Sequence, residues 1–263
     1  MALGSDLVFK WRPAEGGKYK ACIWQTEYIY GDVRNDPLRG KIGGIASWLP
    51  SILRGARNPK VMPGNPGYLE IGPSIEPLEV HTGAITRAEG DVHPFGNPHF
   101  TLDPIRVGKA ALLVAERLGQ IDTPHAAIYL VNAEKLKGRM EAKSATWTQR
   151  LEKSRIKKII TYHKTLTYFL DRFHIENPAI LEPKPGIPPT SGHILEVIQI
   201  VRNQSVPLIL IENYFDPTVT HRIVEQVPSV RTAIVPVAVG GAPGIKSLDD
   251  LYETLVATIE AKK

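Results

Sequence analysis

Hydrophobic spacing changes character twice along this chain. The first sixty residues are weakly patterned: Ser5–Phe9 reads as a short strand, and the stretch from Trp11 to Lys41 is polar with no clear period. ASWLPSILRGA (46–56) has the spacing of a short amphipathic helix broken at Pro50. Residues 60–98 are rich in Pro and Gly, which favours loops and short strands. Asp103 is then a good N-cap and Pro104 a good first helical residue. IRVGKAALLVAERLG (105–119) follows with helical apolar spacing and ends at a glycine. A second helical stretch covers roughly 123–152, with no Gly/Ser linker around it.

Beyond it, strands and helices alternate. Strands are expected at 156–163, 206–215 and 231–239, and helices at 164–175, 217–227 and 247–263. A further helix follows the proline-rich loop EPKPGIPPTSGH (182–193), with Ser191 as its expected cap. Alternation of this kind predicts an α/β fold with a parallel sheet covered on both faces.

Composition narrows the function little. The chain has 263 residues, 43% hydrophobic and 22% charged, which is ordinary for a globular protein with its own core. The formal charge of +5 is spread out, and the densest basic patch (Lys153, Arg155, Lys157, Lys158) has no interleaved aromatics. No nucleic-acid partner is therefore expected. Cys22 is the single cysteine, which excludes internal disulfides and multi-cysteine zinc sites. No apolar run approaches the ~20 residues of a membrane span. The opening MALGSDLVFKWRP carries no basic stretch followed by an apolar one, so no signal peptide is expected in this chain.

The candidate chemistry is imidazole and carboxylate. GDVHPFGNPHFTLDP (90–104) holds two histidines among three prolines. Proline restricts its own φ and biases the residue before it toward extended backbone. The stretch reads as a stiff arm presenting His99, with His93 as a second candidate. In open parallel sheets, ligands bind beyond the carboxyl ends of the strands. His163, Glu212 and the turn GGAPG (240–244) fall at such ends. Imidazole nitrogen and carboxylate oxygen are the usual zinc ligands. Against this stands the ordinary fate of a histidine, a surface position or a hydrogen-bonded place in the core. No HExxH pair occurs, and the glycine turn lacks the Lys-Ser/Thr of a phosphate loop.

Four motifs in order then resemble one family. GNPHFTLDP (96–104), TYHKTLTYFLDRFHI (161–175), EPKPGIPPTSGHI (182–194) and LILIENYFDP (208–217) are similar to signatures of the metal-binding, substrate-binding proteins of zinc and manganese ABC transporters. The likeness runs from about Ala46 to the C-terminus. It implies two α/β lobes with parallel sheets, joined by a long rigid helix, with the metal in the cleft between them. On this reading residues 1–104 form an N-terminal lobe that looks incomplete, with an atypical stretch at 11–41. Residues 105–152 form the connecting helical section and 153–263 the C-terminal lobe. The resemblance makes His99 and His163 metal ligands. Glu212 becomes either a third ligand or a partner that orients a histidine.

It further implies a non-enzymatic, monomeric, periplasmic or extracytoplasmic protein that captures a divalent metal and delivers it to an ABC transporter permease. Zn2+ is favoured and Mn2+ is the alternative, because histidines outnumber carboxylates at the site. The departures are as informative. No PHxxEP-type motif supplies a first histidine, and PVAVGGAPG (236–244) has no carboxylate where the family carries a closing acid. Weaker metal affinity than a complete member is therefore expected. Two other readings compete. One is a degenerate or truncated relative without tight binding. The other is a zinc-dependent hydrolase with Glu212 as general base.

Overall fold

The computed structural model describes residues 6–11, 20–25, 53–80, 96–184 and 187–261. The helix expected at 46–56 lies mostly outside them, with only 53–55 seen as helical, and His93 lies outside them altogether. Near the start, β1 (Asp6–Trp11) and β2 (Lys20–Gln25) pair antiparallel, Asp6 opposite Gln25. The second of these strands lies in the stretch that showed no period.

Two helices follow. α1 (Pro104–Ile121) begins as the sequence predicts: the Asp103 side chain accepts from the amides of Ile105 and Arg106, and Pro104 sits where no amide is needed. It runs past Gly119 by two residues, since a lone glycine costs a helix too little to stop it. A single 3-10 turn (Thr123–His125) reverses the chain into α2 (Ala126–Ser154), 29 residues or ~43 Å at the usual rise. α1 and α2 pack as an antiparallel hairpin. A Cβ on Gly108 would meet Lys137 Cα at 3.2 Å, so glycine is what lets the helices approach. Of the two helices in this section, α2 is the longer.

The parallel sheet comprises β3 (Ile159–Thr161), β4 (Leu208–Glu212) and β5 (Arg231–Val235), in that spatial order. Ile159 is opposite Leu208, and Leu208 opposite Arg231. Each strand is shorter than the apolar run that predicted it. Pro207 has no amide for the ladder, the chain turns after Glu212 with Phe215 N–H bonding back to its carbonyl, and Pro236 follows β5 directly. Residues 176–182 continue the sheet irregularly beside β3, with Ile159 N–H donating to Glu176 O and Leu181 N–H to Thr161 O.

Strand residues alternate between two cores. Ile159, Leu208 and Leu210 join Met140, Trp147 and Leu151 of α2 and Leu251, Leu255 and Ile259 of α6 (Leu248–Glu260). Ile160, Ile209 and Ile211 face Ile194, Val197 and Val201 of α4 (Ser191–Gln204) and Ile223 of α5 (Thr218–Gln226). Both faces are therefore covered, as a parallel sheet requires. The expected helix at 164–175 is a 3-10 turn (Lys164–Leu166) leading into the short α3 (Thr167–Arg172). The cap of α4 is Thr190, whose side chain accepts from His193 N–H; Ser191 is the first helical residue instead. The fold is thus α/β with one parallel three-stranded sheet; a second lobe with its own parallel sheet is not seen among the described residues.

Candidate metal centre

The arm that carries His99 is fixed from its first described residue. Gly96 has φ +107°, and a Cβ there would come within 2.7 Å of Pro77 and 2.8 Å of Leu78 O. Only glycine fits both the conformation and the space. Asn97 then acts as a four-way tie. Its amide donates to Leu78 O at 2.7 Å, and its side-chain oxygen accepts from His99 N–H at 2.9 Å. Its side-chain nitrogen donates to Lys164 O at 2.9 Å and to Glu79 at 3.0 Å. The Tyr168 hydroxyl donates to Asn97 O at 2.6 Å and accepts from Leu78 N–H at 3.0 Å.

Beyond His99 a 3-10 turn (Phe100–Leu102) carries the chain to Asp103. The Asp103 carboxylate is fully buried and meets Arg106 Nη1 at 2.6 Å and Arg172 Nη2 at 2.7 Å. The arm is thereby clamped to α3, the helix that follows His163.

His163 stands at the carboxyl end of the sheet, two residues past β3. Three neighbouring chain segments end side by side there, presenting Glu182, His163 and Glu212. The main-chain N–H of His163 donates to the two Glu212 oxygens at 3.3 and 3.4 Å. Its ring Nδ1 meets the Glu182 carboxylate, which is almost wholly buried. The Phe215 ring lies 6.0 Å from the imidazole and stacks on Tyr162 at 4.1 Å, closing one side of the site.

Glu212 is fully buried at the end of β4, and burial pushes its pKa up to about 7. The neighbouring His163 and hydrogen bonds from the His163 amide and the Thr165 hydroxyl oppose that rise without cancelling it. Glu212 is thus turned toward the His163 backbone, while Glu182 faces its ring.

The two histidine rings come together with centroids 5.8 Å apart and planes at 82°. The Nε2 atom of His99 is shut off from solvent. A tetrahedral cation about 2.0–2.1 Å from each nitrogen would set two imidazole centroids roughly 5 Å apart. The spacing is therefore within ~1 Å of what one shared ion needs, and rotation about the side-chain bonds supplies the rest. Two imidazoles are half of a closed tetrahedral set. Among the described residues no group of three or more His, Cys, Asp or Glu is arranged to hold a metal.

Sequence reasoning passed over Glu182, Asn97 and Thr165. Glu182 had a readable signal: it closes the apolar run AIL (179–181) as Glu212 closes LILI (208–211), so each acid marks a strand-like end.

Residues 42–261 match the family described as the periplasmic component A of the zinc-uptake complex. The chain belongs to that family. Its members are non-enzymatic, metal-binding transport proteins that bind divalent metal ions as part of an uptake complex, which sets the hydrolase reading aside. Among the relatives of this chain is the high-affinity zinc uptake system protein ZnuA of Brucella abortus, 25% identical over 161 residues, covering 61% of this chain and 47% of that protein. The chain thus spans about half the length of the curated relatives it matches.

Solved structures give the fold. A laminin-binding adhesin mutant (Lmb) of Streptococcus agalactiae superposes with TM-score 0.62 at 23% identity, covering 74% of this chain and 70% of the adhesin. The Zn(II)-bound AdcAII variant of Streptococcus pneumoniae gives 0.59 at 22%, with the same coverage. FpvC of Pseudomonas aeruginosa, in complex with Mn2+, gives 0.52 at 25%, covering 62% of this chain and 61% of FpvC. Among the described residues no helix is long and apolar enough to cross a membrane.

Proposed function

We propose that this chain captures a divalent cation between His99 and His163 and presents it, outside the cytoplasm, to the membrane permease of an ABC transporter. The carrying observation is the approach of two imidazoles, distant in sequence, to a centroid separation of 5.8 Å, with His99 Nε2 shut off from solvent and the His163 side chain mostly buried. Zinc is the favoured cargo, because two nitrogen donors suit it better than they suit manganese. Mn2+ is the alternative, and relatives with each bound ion are among the structural neighbours. Glu212 acts here as an anchor for the His163 main chain, not as a ligand. The protein works as a monomer, holding the ion by equilibrium binding with no chemistry performed on it.

The expected result of calorimetric titration with zinc is 1:1 binding that disappears in His99→Ala and in His163→Ala. Affinity weaker than that of a complete member is expected, because no PHxxEP-type motif occurs in the sequence. Binding that survives both substitutions would overturn the assignment of the site.

A second reading is favoured by a specific observation, the lack of a three-donor group among the described residues. It is a relative that folds but retains no ion tightly. Protein purified under zinc-replete conditions decides between them: stoichiometric zinc supports capture, and its absence supports the second reading.

A further inference from the structure

Two buried glutamates flank His163, and they bond to different parts of it. Both Glu212 oxygens face the main-chain N–H, so that acid fixes where the residue sits. Glu182 instead meets ring Nδ1. The backbone brings it there: residues 176–182 run parallel to β3, and Glu182 N–H donates to Tyr162 O at 2.8 Å, one residue before the histidine. The Glu182 side chain is 5% exposed and that of His163 14%. A carboxylate so removed from water needs donors, because leaving it without them is costly.

We infer that Glu182 is a positioning residue for cation capture: it takes the Nδ1–H of His163, fixes the ring in that tautomer and leaves Nε2 as the nitrogen offered to the ion. The role rests on the capture reading above and gives it a specific donor atom. A neutral imidazole has one donor and one acceptor nitrogen, and the partner of the first determines which is the second. Carboxylates that hold the far nitrogen of a metal-binding histidine also raise its basicity, and losing them typically costs 10–100-fold in metal affinity. In a site with few evident donors, pre-setting one of them matters more, since no other ligand compensates for a ring facing the wrong way.

The first measurement uses the unaltered, metal-free chain. Long-range 1H–15N NMR of histidine-labelled protein, at about pH 9 where imidazoles are neutral, is expected to show His163 protonated at Nδ1 with Nε2 bare. In Glu182→Ala the expected signal is a mixture of tautomers, with zinc affinity down 10–100-fold. Glu182→Gln keeps an oxygen for Nδ1–H and is expected to lose less than tenfold. Thermal unfolding of each variant separates loss of fold from loss of affinity, and the first measurement needs no variant.

His163 protonated at Nε2 in the unaltered protein overturns the assignment. So does a Glu182→Gln loss as large as that of Glu182→Ala with the tautomer unchanged in both, which would make the carboxylate itself a ligand. Unaltered protein that binds no zinc defeats the capture reading, and the tautomer alone then decides the role of Glu182.

Discussion

His99 and His163 reach the same pocket by different means. The described part of the arm bearing His99 holds only a 3-10 turn (Phe100–Leu102), and side chains from elsewhere in the fold hold it: Tyr168 on Asn97, Arg172 on Asp103, and Tyr252, whose hydroxyl donates to Thr101 O at 2.6 Å. His163 is held by the sheet. Tyr162 N–H donates to Leu210 O, Glu182 N–H to Tyr162 O, and His163 N–H to Glu212. One histidine therefore depends on long-range side-chain contacts that single substitutions can remove. The other sits beside a main-chain ladder through Tyr162, with the Glu212 and Glu182 side chains holding its own amide and ring. Substitutions at the arm should move His99 while the sheet stays intact.

The harshest test of that contrast is Asp103→Ala. It removes the cap of α1 and leaves Arg106 and Arg172 without the carboxylate they share. Breaking a buried pair by deleting one partner costs ~3–5 kcal/mol, which chemical denaturation would read directly. If the arm is held as described, zinc affinity falls as well. A variant that loses stability and keeps full affinity would show that the clamp does not govern His99.

At the strand end, the matching test is a pH profile. Folding raises the Glu212 carboxyl from its ordinary 4.5 to about 7, so the native state holds the proton more tightly than the unfolded chain does. Its contribution to stability is complete below about 4.5 and is lost as pH rises through about 7. The loss amounts to about 3 kcal/mol. Glu212→Gln has no proton to release. In metal-free protein its stability should fall less than that of the parent between pH 4.5 and 7, by up to that amount. Parallel profiles would mean that Glu212 is already ionised at little cost.

The contrast also explains what could be read from the sequence. The sheet-borne half was legible because its physics is local. Buried parallel strands are written as unbroken apolar runs such as VPLILIEN, and the histidine and acid at their ends mark the carboxyl edge. Asp103-Pro104 likewise announced the start of α1. Strand ends were less legible, because Pro207 and Pro236 trim the ladder where hydrophobicity continues. Thr190 was missed for its neighbour Ser191, since two adjacent hydroxyl residues make equally good caps on paper. Glu182 went unnoticed because its meaning comes from the irregular segment 176–182 lying against β3. Within the clamp, Arg106 lies one helical turn from Asp103, but Arg172 reaches it from far along the chain, and no local pattern encodes that contact.

Tyr168→Phe comes next in size. Burial raises the pKa of this phenol, so it stays protonated and serves as both donor and acceptor. Its removal leaves Asn97 O and Leu78 N–H without that partner. The expected cost is about 2 kcal/mol, with a measurable loss of zinc affinity because Asn97 sets the His99 amide.

Tyr252→Phe should have the smallest effect, and its size relative to Tyr168→Phe is the point. Tyr252 is wholly buried, which raises its pKa well above 10 and keeps its hydroxyl a donor at all working pH values. It makes one bond to the arm, at Thr101 O, where Tyr168 makes two contacts nearer His99. The expected cost is about 1 kcal/mol, read as a shift of the denaturation midpoint, with zinc affinity changed less than in Tyr168→Phe. The ring packs against Trp147 with centroids 5.3 Å apart, and phenylalanine keeps that contact. The variant thus removes the hydrogen bond alone. If Tyr252→Phe weakened zinc binding more than Tyr168→Phe, the arm would be governed from α6 and not from α3, and the division between the two histidines would have to be redrawn around the far end of the chain.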